Sequence, residues 1–131
     1  MGVDYGTKRV GVALSDEGGT MAFPCAILEN GKGLVGEIKN ICAKEGVEQI
    51  VVGESLNYQG SPNRVMKEID NFVAELTEMV AIPVALEREF LSTQQARFFQ
   101  EEKKHVDDSA AAIILQSYLD KKNSKSIQET I

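Results

Sequence analysis

The chain is poor in the residues that build thiolate, disulfide or imidazole chemistry. Its 131 residues contain two cysteines, one histidine and no tryptophan. Cys25 and Cys42 lack the paired spacing of a zinc site, and a single His105 is more often a surface residue than a ligand or base. No apolar run approaches the ~18 residues of a membrane-spanning helix. The opening residues pattern as strand and turn rather than as a basic stretch leading into an apolar core, so no secretory signal is expected. A cytoplasmic protein with no membrane association and with reduced, buried thiols is the expectation that follows. Neither repeats nor low-complexity segments are present. Acidic residues outnumber basic ones 20 to 14, for a net charge of −6, which argues against indiscriminate binding to polyanions.

What is present is an ordinary globular composition, 43% hydrophobic and 26% charged, in a chain long enough for one domain with its own core. Met1–Tyr5 and Lys8–Ser15 read as strands joined by Gly6-Thr7, and Met21–Leu28 as a third. Leu34, Val35, Ile38, Ile41 and Cys42 recur at helical spacing, with Gly46 as the stop. The continuous run Gln49-Ile50-Val51-Val52-Gly53 reads as a strand buried on both faces. Ser61-Pro62 opens a helix whose apolar face is Val65, Ile69, Phe72, Val73, Leu76 and Val80. Ile82–Leu86 is a further strand, Ser92-Thr93-Gln94-Gln95 starts another helix, and Asp107 or Asp108 opens a last, unusually apolar one. The resulting order, β-β-β-α-β-α-β-α-α, predicts an α/β fold with an RNase H-like mixed sheet and helices on both faces. A Rossmann arrangement fits less well, because the first strand leads into a hairpin. Residues 1–120 are expected to form the domain and the polar residues 121–131 a flexible tail.

Asp4 is the residue that stands out. A carboxylate within an apolar strand is costly to bury unless a cation or hydrogen-bond donors hold it. Glu89, after the fifth strand, and Asp107, at the start of the last helix, are the acids able to join it if the first and fifth strands run near each other. Oxygen ligands of this kind suit Mg²⁺ or Mn²⁺. Each acid also has a plainer reading: a turn partner for Asp4, a solvated loop acid for Glu89, a helix N-cap for Asp107. Glu54, at the end of the central strand, reads as a solvated loop residue.

The segments Asp4-Tyr5-Gly6-Thr7-Lys8-Arg9-Val10-Gly11-Val12-Ala13, Val51-Val52-Gly53, Leu91-Ser92-Thr93 and Val106-Asp107, before an Ala-rich Ile-Ile-Leu-Gln-Ser-Tyr helix, resemble the YqgF/RuvX family across nearly the whole chain. Its members are described as nucleases of pre-16S ribosomal RNA and as Holliday junction resolvases. The resemblance implies phosphodiester hydrolysis with divalent metal, with Asp4, Glu89 and Asp107 as the catalytic and metal-binding acids and structured RNA, or alternatively branched DNA, as the substrate. The family's Asp-Glu-Arg stretch here reads Arg88-Glu89-Phe90, so its flanking aspartate and arginine are both replaced. A competing match through Glu87-Arg88 breaks the spacing to Leu91-Ser92-Thr93. Lys8, Arg9, Asn57 and Lys104 are the candidate substrate contacts; turn chemistry and solvation account for the same residues without a substrate. A monomer or weak homodimer is expected, a stable two-fold dimer being what a resolvase requires. Two further readings remain open. One is a nucleic-acid-binding module that has lost catalysis, motivated by Arg88 and Phe90. The other is an actin-like nucleotide-binding loop at Asp4–Thr7, disfavoured because such proteins clasp the nucleotide between two domains.

Overall fold

A computed structural model describes the backbone at residues 1–54, 62–87 and 109–130. β1 (Gly2–Tyr5) turns back into β2 (Arg9–Ser15), followed by β3 (Ala22–Glu29) and α1 (Leu34–Glu45). β4 (Ile50–Glu54), α2 (Pro62–Met79), β5 (Val84–Glu87) and α3 (Ser109–Thr130) complete the described elements. The helix expected from Ser92 lies outside the described residues, as do Asp107 and Asp108.

The strands form one sheet in the order β3-β2-β1-β4-β5. β1 pairs antiparallel with β2, and β2 with β3, whereas β1 and β5 both run parallel to β4. This is the expected RNase H-like arrangement, and its cause is legible in the connections. Short turns permit only antiparallel neighbours, while α1 and α2 supply the crossovers that parallel pairing needs. The Gln49–Gly53 run becomes the interior of the sheet, with Ile50, Val51 and Val52 fully buried.

The two faces are covered differently. Val3, Tyr5, Val10, Val12, Ile50 and Val52 pack with α1 (Leu34, Val35, Ile38, Cys42) and α2 (Ile69, Phe72, Leu76) in the larger core. Alternation sends Ala13 and Val51 to the opposite face, where α3 packs through Ala111, Ile113, Ile114, Leu115 and Leu119. α1 ends at Gly46 in the left-handed conformation (φ +67°), whose N–H donates to the Cys42 carbonyl.

The polar stretch after residue 120 continues α3 to Thr130. Neither glycine nor proline interrupts the chain from Ser109 onward, so nothing in the sequence stops the helix. Cys25 is exposed, although Cys42 is buried as expected. β3 is the outer strand, and its register against β2 shifts at Val12/Ala13, which makes Cys25 the extra residue of a bulge beside Pro24.

Candidate active site

Asp4 lies near the carboxyl end of β1, between Gly11 of β2 and Gly53 of β4 in the same row of the sheet. Its neighbours Val3 and Tyr5 point into the α1/α2 core. Asp4 therefore points to the other face, beneath α3. Gly11 shares that position: a methyl group placed on it would lie 3.5 Å from Ala111 Cβ and 3.7 Å from Asp4 Cβ.

Glycine on both flanks is what lets α3 come down onto the carboxylate. A Cβ on Gly53 would fall 2.5–2.9 Å from the side chain of Ile114. One on Gly2, two residues before Asp4, would fall 2.6 Å from Leu115 Cβ and 2.8 Å from the Ala111 carbonyl. Neither site has room for a side chain, so the helix seats directly on backbone.

The result is a carboxylate in an apolar, close-packed niche. Asp4 Oδ1 is buried and has no hydrogen-bond partner among the described residues. Burial pushes the carboxyl up from its ordinary 3.8 to about 6, and among the described residues no cationic group acts to lower it. Near neutral pH such a group stays ionised at a free-energy cost that a hard cation on its oxygens would relieve. Asp4 fits a divalent metal on these grounds.

Of the other expected site residues, Lys8 and Arg9 are exposed at the β1–β2 turn, at the same end of β1 as Asp4. Glu89, Asp107, Asn57 and Lys104 lie outside the described residues. Glu54 is the last residue of β4 and pairs with Tyr5, so it belongs to the strand rather than to the loop beyond it.

Glu87 extends the row. It closes β5 in register with Gly53, two strands from Asp4, at about 10 Å between Cα atoms given the usual strand spacing. It faces α3 as Asp4 does, with its Oε2 3.5 Å from Lys121 Nζ. The sequence offered the glycines as a signal, each falling within an apolar strand where a side chain would otherwise pack. What it did not offer was the register that sets Gly11, Asp4, Gly53 and Glu87 in one line.

Gln116 fixes α3 against the β2–β3 hairpin. It accepts from Ala22 N–H (2.9 Å) and donates to the Thr20 carbonyl (2.8 Å). Asn123, two turns on, donates to the Gly19 carbonyl. The hairpin itself is closed by the Asp16 carboxylate, which accepts from the backbone N–H of Thr20 and Met21 and from the Thr20 hydroxyl. These bonds hold the Asp16 carboxyl below the usual carboxylate range.

The family model RuvX, described as Holliday junction resolvase, matches residues 1–121. A protein of Nitratidesulfovibrio vulgaris named "Putative pre-16S rRNA nuclease" is 36% identical over 135 residues, covering 95% of each chain. Similar proteins bearing that same name occur in Chlorobaculum tepidum, at 37% identity with 92% of each chain covered, and in Caldanaerobacter subterraneus, at 39% identity with 95% of this chain and 98% of the relative covered. No helix among the described residues is long and apolar enough to cross a membrane.

Proposed function

The chain belongs to the RuvX family, and from that premise we propose that it is an endonuclease dependent on Mg²⁺ or Mn²⁺ that trims the 5′ end of pre-16S ribosomal RNA. The observation that carries this reading is Asp4: a buried carboxylate oxygen with no hydrogen-bond partner among the described residues, in an RNase H-like sheet, between the glycines that let α3 seat over it. Asp4, Glu89 and Asp107 are the residues that would hold the metal. When bound, such cations acidify a water and neutralise charge on the phosphodiester oxygens.

The chain's own residues do the rest. Asp4, fixed by ladder bonds on both sides of β1, sets where the metal-facing oxygens sit, and the close seat of α3 keeps bulk water from its buried face. Lys8 and Arg9 offer cationic contacts to the phosphates flanking the scissile bond. Asn57 and Lys104 extend the same contact set. No covalent enzyme intermediate is required. The acidic surface makes binding weak and sensitive to salt unless a partner presents the RNA.

The test is cleavage of a labelled RNA spanning the 5′ end of pre-16S rRNA with Mg²⁺ or Mn²⁺, comparing wild type with Asp4→Asn. Metal-dependent cutting lost in the variant upholds the reading. Binding without cutting by the wild type assigns the chain to a binding role, and Phe90→Arg then asks whether the altered segment is the reason. The family description favours one second reading, the same hydrolysis on a four-way DNA junction. A stable two-fold dimer that cuts junctions symmetrically would move the assignment there.

A further inference from the structure

The turn that follows Asp4 is held from outside. Asn30, just beyond the end of β3, donates its side-chain amide to the Gly6 carbonyl at 2.8 Å. Its backbone N–H donates to the Lys8 carbonyl at 2.9 Å. One residue thus grips both sides of the Gly6-Thr7-Lys8 turn, and does so from just past the end of a strand two places away from β1 in the sheet. Glu29, the residue before Asn30, is the cross-strand partner of Arg9.

From this geometry we infer that Asn30 is a positioning residue for substrate binding: it straps the Gly6–Lys8 turn and so fixes where Lys8 and Arg9 present their charges relative to Asp4. The inference rests on the reading of Lys8 and Arg9 as phosphate contacts. A short turn between strands is normally set by its own residues. Here Gly6 and Thr7 open the turn, and both exposed cations follow at once. Without an external tie, the long basic side chains would sample a wider arc and lose more freedom on meeting a phosphate. The two bonds of Asn30 remove that freedom in advance. The backbone bond survives any substitution but proline, so replacing the side chain removes the tie to Gly6 alone.

The experiment compares wild type, Asn30→Ala, Asn30→Asp, Lys8→Ala and the Asn30→Ala/Lys8→Ala double variant. Asn30→Asp keeps the shape and removes the donor, which guards against a cavity effect. Hydrogen exchange is measured first on the free protein. Exchange at residues 6–9 is expected to quicken in both Asn30 variants while β4 stays protected; unchanged exchange there overturns the strap whatever the RNA does. RNA binding and cleavage follow. Asn30→Ala is expected to raise KM about fivefold, the scale of one neutral hydrogen bond, with kcat nearly unchanged, and Asn30→Asp, which adds a charge beside the cations, to raise it at least as much. A purely structural defect would instead lower the active fraction and kcat. In the Lys8→Ala background the further effect of Asn30→Ala is expected to shrink below about twofold, because the two act through one contact. Multiplicative effects would overturn the inference. If Lys8→Ala leaves both affinity and its salt dependence unaltered, the phosphate-contact reading fails, and the positioning role falls with it even though the strap itself stands.

Discussion

The two faces of the sheet are built to different rules. Under α1 and α2 the sheet presents Val3, Tyr5, Val10, Val12, Ile50 and Val52, large side chains packed into a continuous aliphatic core with Phe72 tilted against Tyr5. Under α3 the same strands present mostly small residues, Gly2, Gly11, Ala13 and Gly53, together with Val51 and Asp4. One face buries area and supplies stability. The other gives area up, so that a helix can approach a carboxylate that itself opposes folding. A single strand, β1, serves both, since alternate residues go to opposite sides.

The sharpest way to test that division is at Asp4. Asp4→Asn is expected to reduce metal-dependent cleavage by roughly 10²–10³ or more, the scale for losing a preorganised charge at a reacting centre, while the protein stays folded. On the other face, Leu76→Ala removes a fully buried side chain and is expected to cost about 2–5 kcal/mol by denaturant unfolding. The kcat of the folded fraction should hardly move. If Leu76→Ala lowers kcat as much as stability, the separation of roles is wrong.

The glycine seat gives a smaller effect that should touch both properties. Gly53→Ala forces a methyl against Ile114, with an expected cost of about 1–3 kcal/mol for overpacking and a loss of activity as α3 lifts. Pairing it with Ile114→Val should return part of each. No recovery would mean that Gly53 is needed for its backbone rather than for its lack of a side chain.

pH dependence sharpens the contrast further. The Asp4 carboxyl holds its proton more tightly when folded, at about 6, than when unfolded, near 3.8. Its ionisation therefore opposes folding above about pH 6, and that opposition fades as pH falls toward 4. In a chelating buffer at pH 7, Asp4→Asn is expected to be more stable than wild type by about 1–3 kcal/mol, a gap that closes by pH 4. Adding Mg²⁺ or Mn²⁺ should raise the Tm of wild type and leave the variant where it was. The smallest effect belongs to the Glu87–Lys121 pair, whose lysine is exposed and whose glutamate is half-buried: Lys121→Ala should change stability by less than about 0.5 kcal/mol.

Much of this frame is readable without coordinates, and the reasons are local. Gly6-Thr7 between two apolar stretches marks a hairpin, Gln49–Gly53 is too continuously apolar for anything but a central strand, and Ile69, Phe72, Leu76 and Val80 trace one side of a helix. Asp4 stands out for the cost of burying it. Other features depend on relations between segments. Period-two alternation says that Val3 and Asp4 face opposite ways, without saying which helix covers which. The run Ala110–Leu115 is apolar nearly all round and so hides the side that meets the sheet. Gln116 and Asn30 read as ordinary polar residues until their partners, 94 and 24 residues away, are placed beside them. The C-terminal stretch reads as a tail because it is polar, yet a helix end needs a stop signal rather than mere polarity.

The outer strand carries a consequence for how the molecule behaves in crowded solution. β3 exposes Phe23 and Ile27, with Met21 just before it, and it is eight residues long. An open strand of that length and greasiness invites a second molecule to add itself to the sheet. Pro24 removes one donor from the outward row, and the bulge at Cys25 bends what remains. A neighbour can adhere to such a border but cannot zip along it in register, so sticking does not propagate into ordered stacks. Replacing Pro24 and deleting Cys25 together would straighten the border and let one molecule template the next.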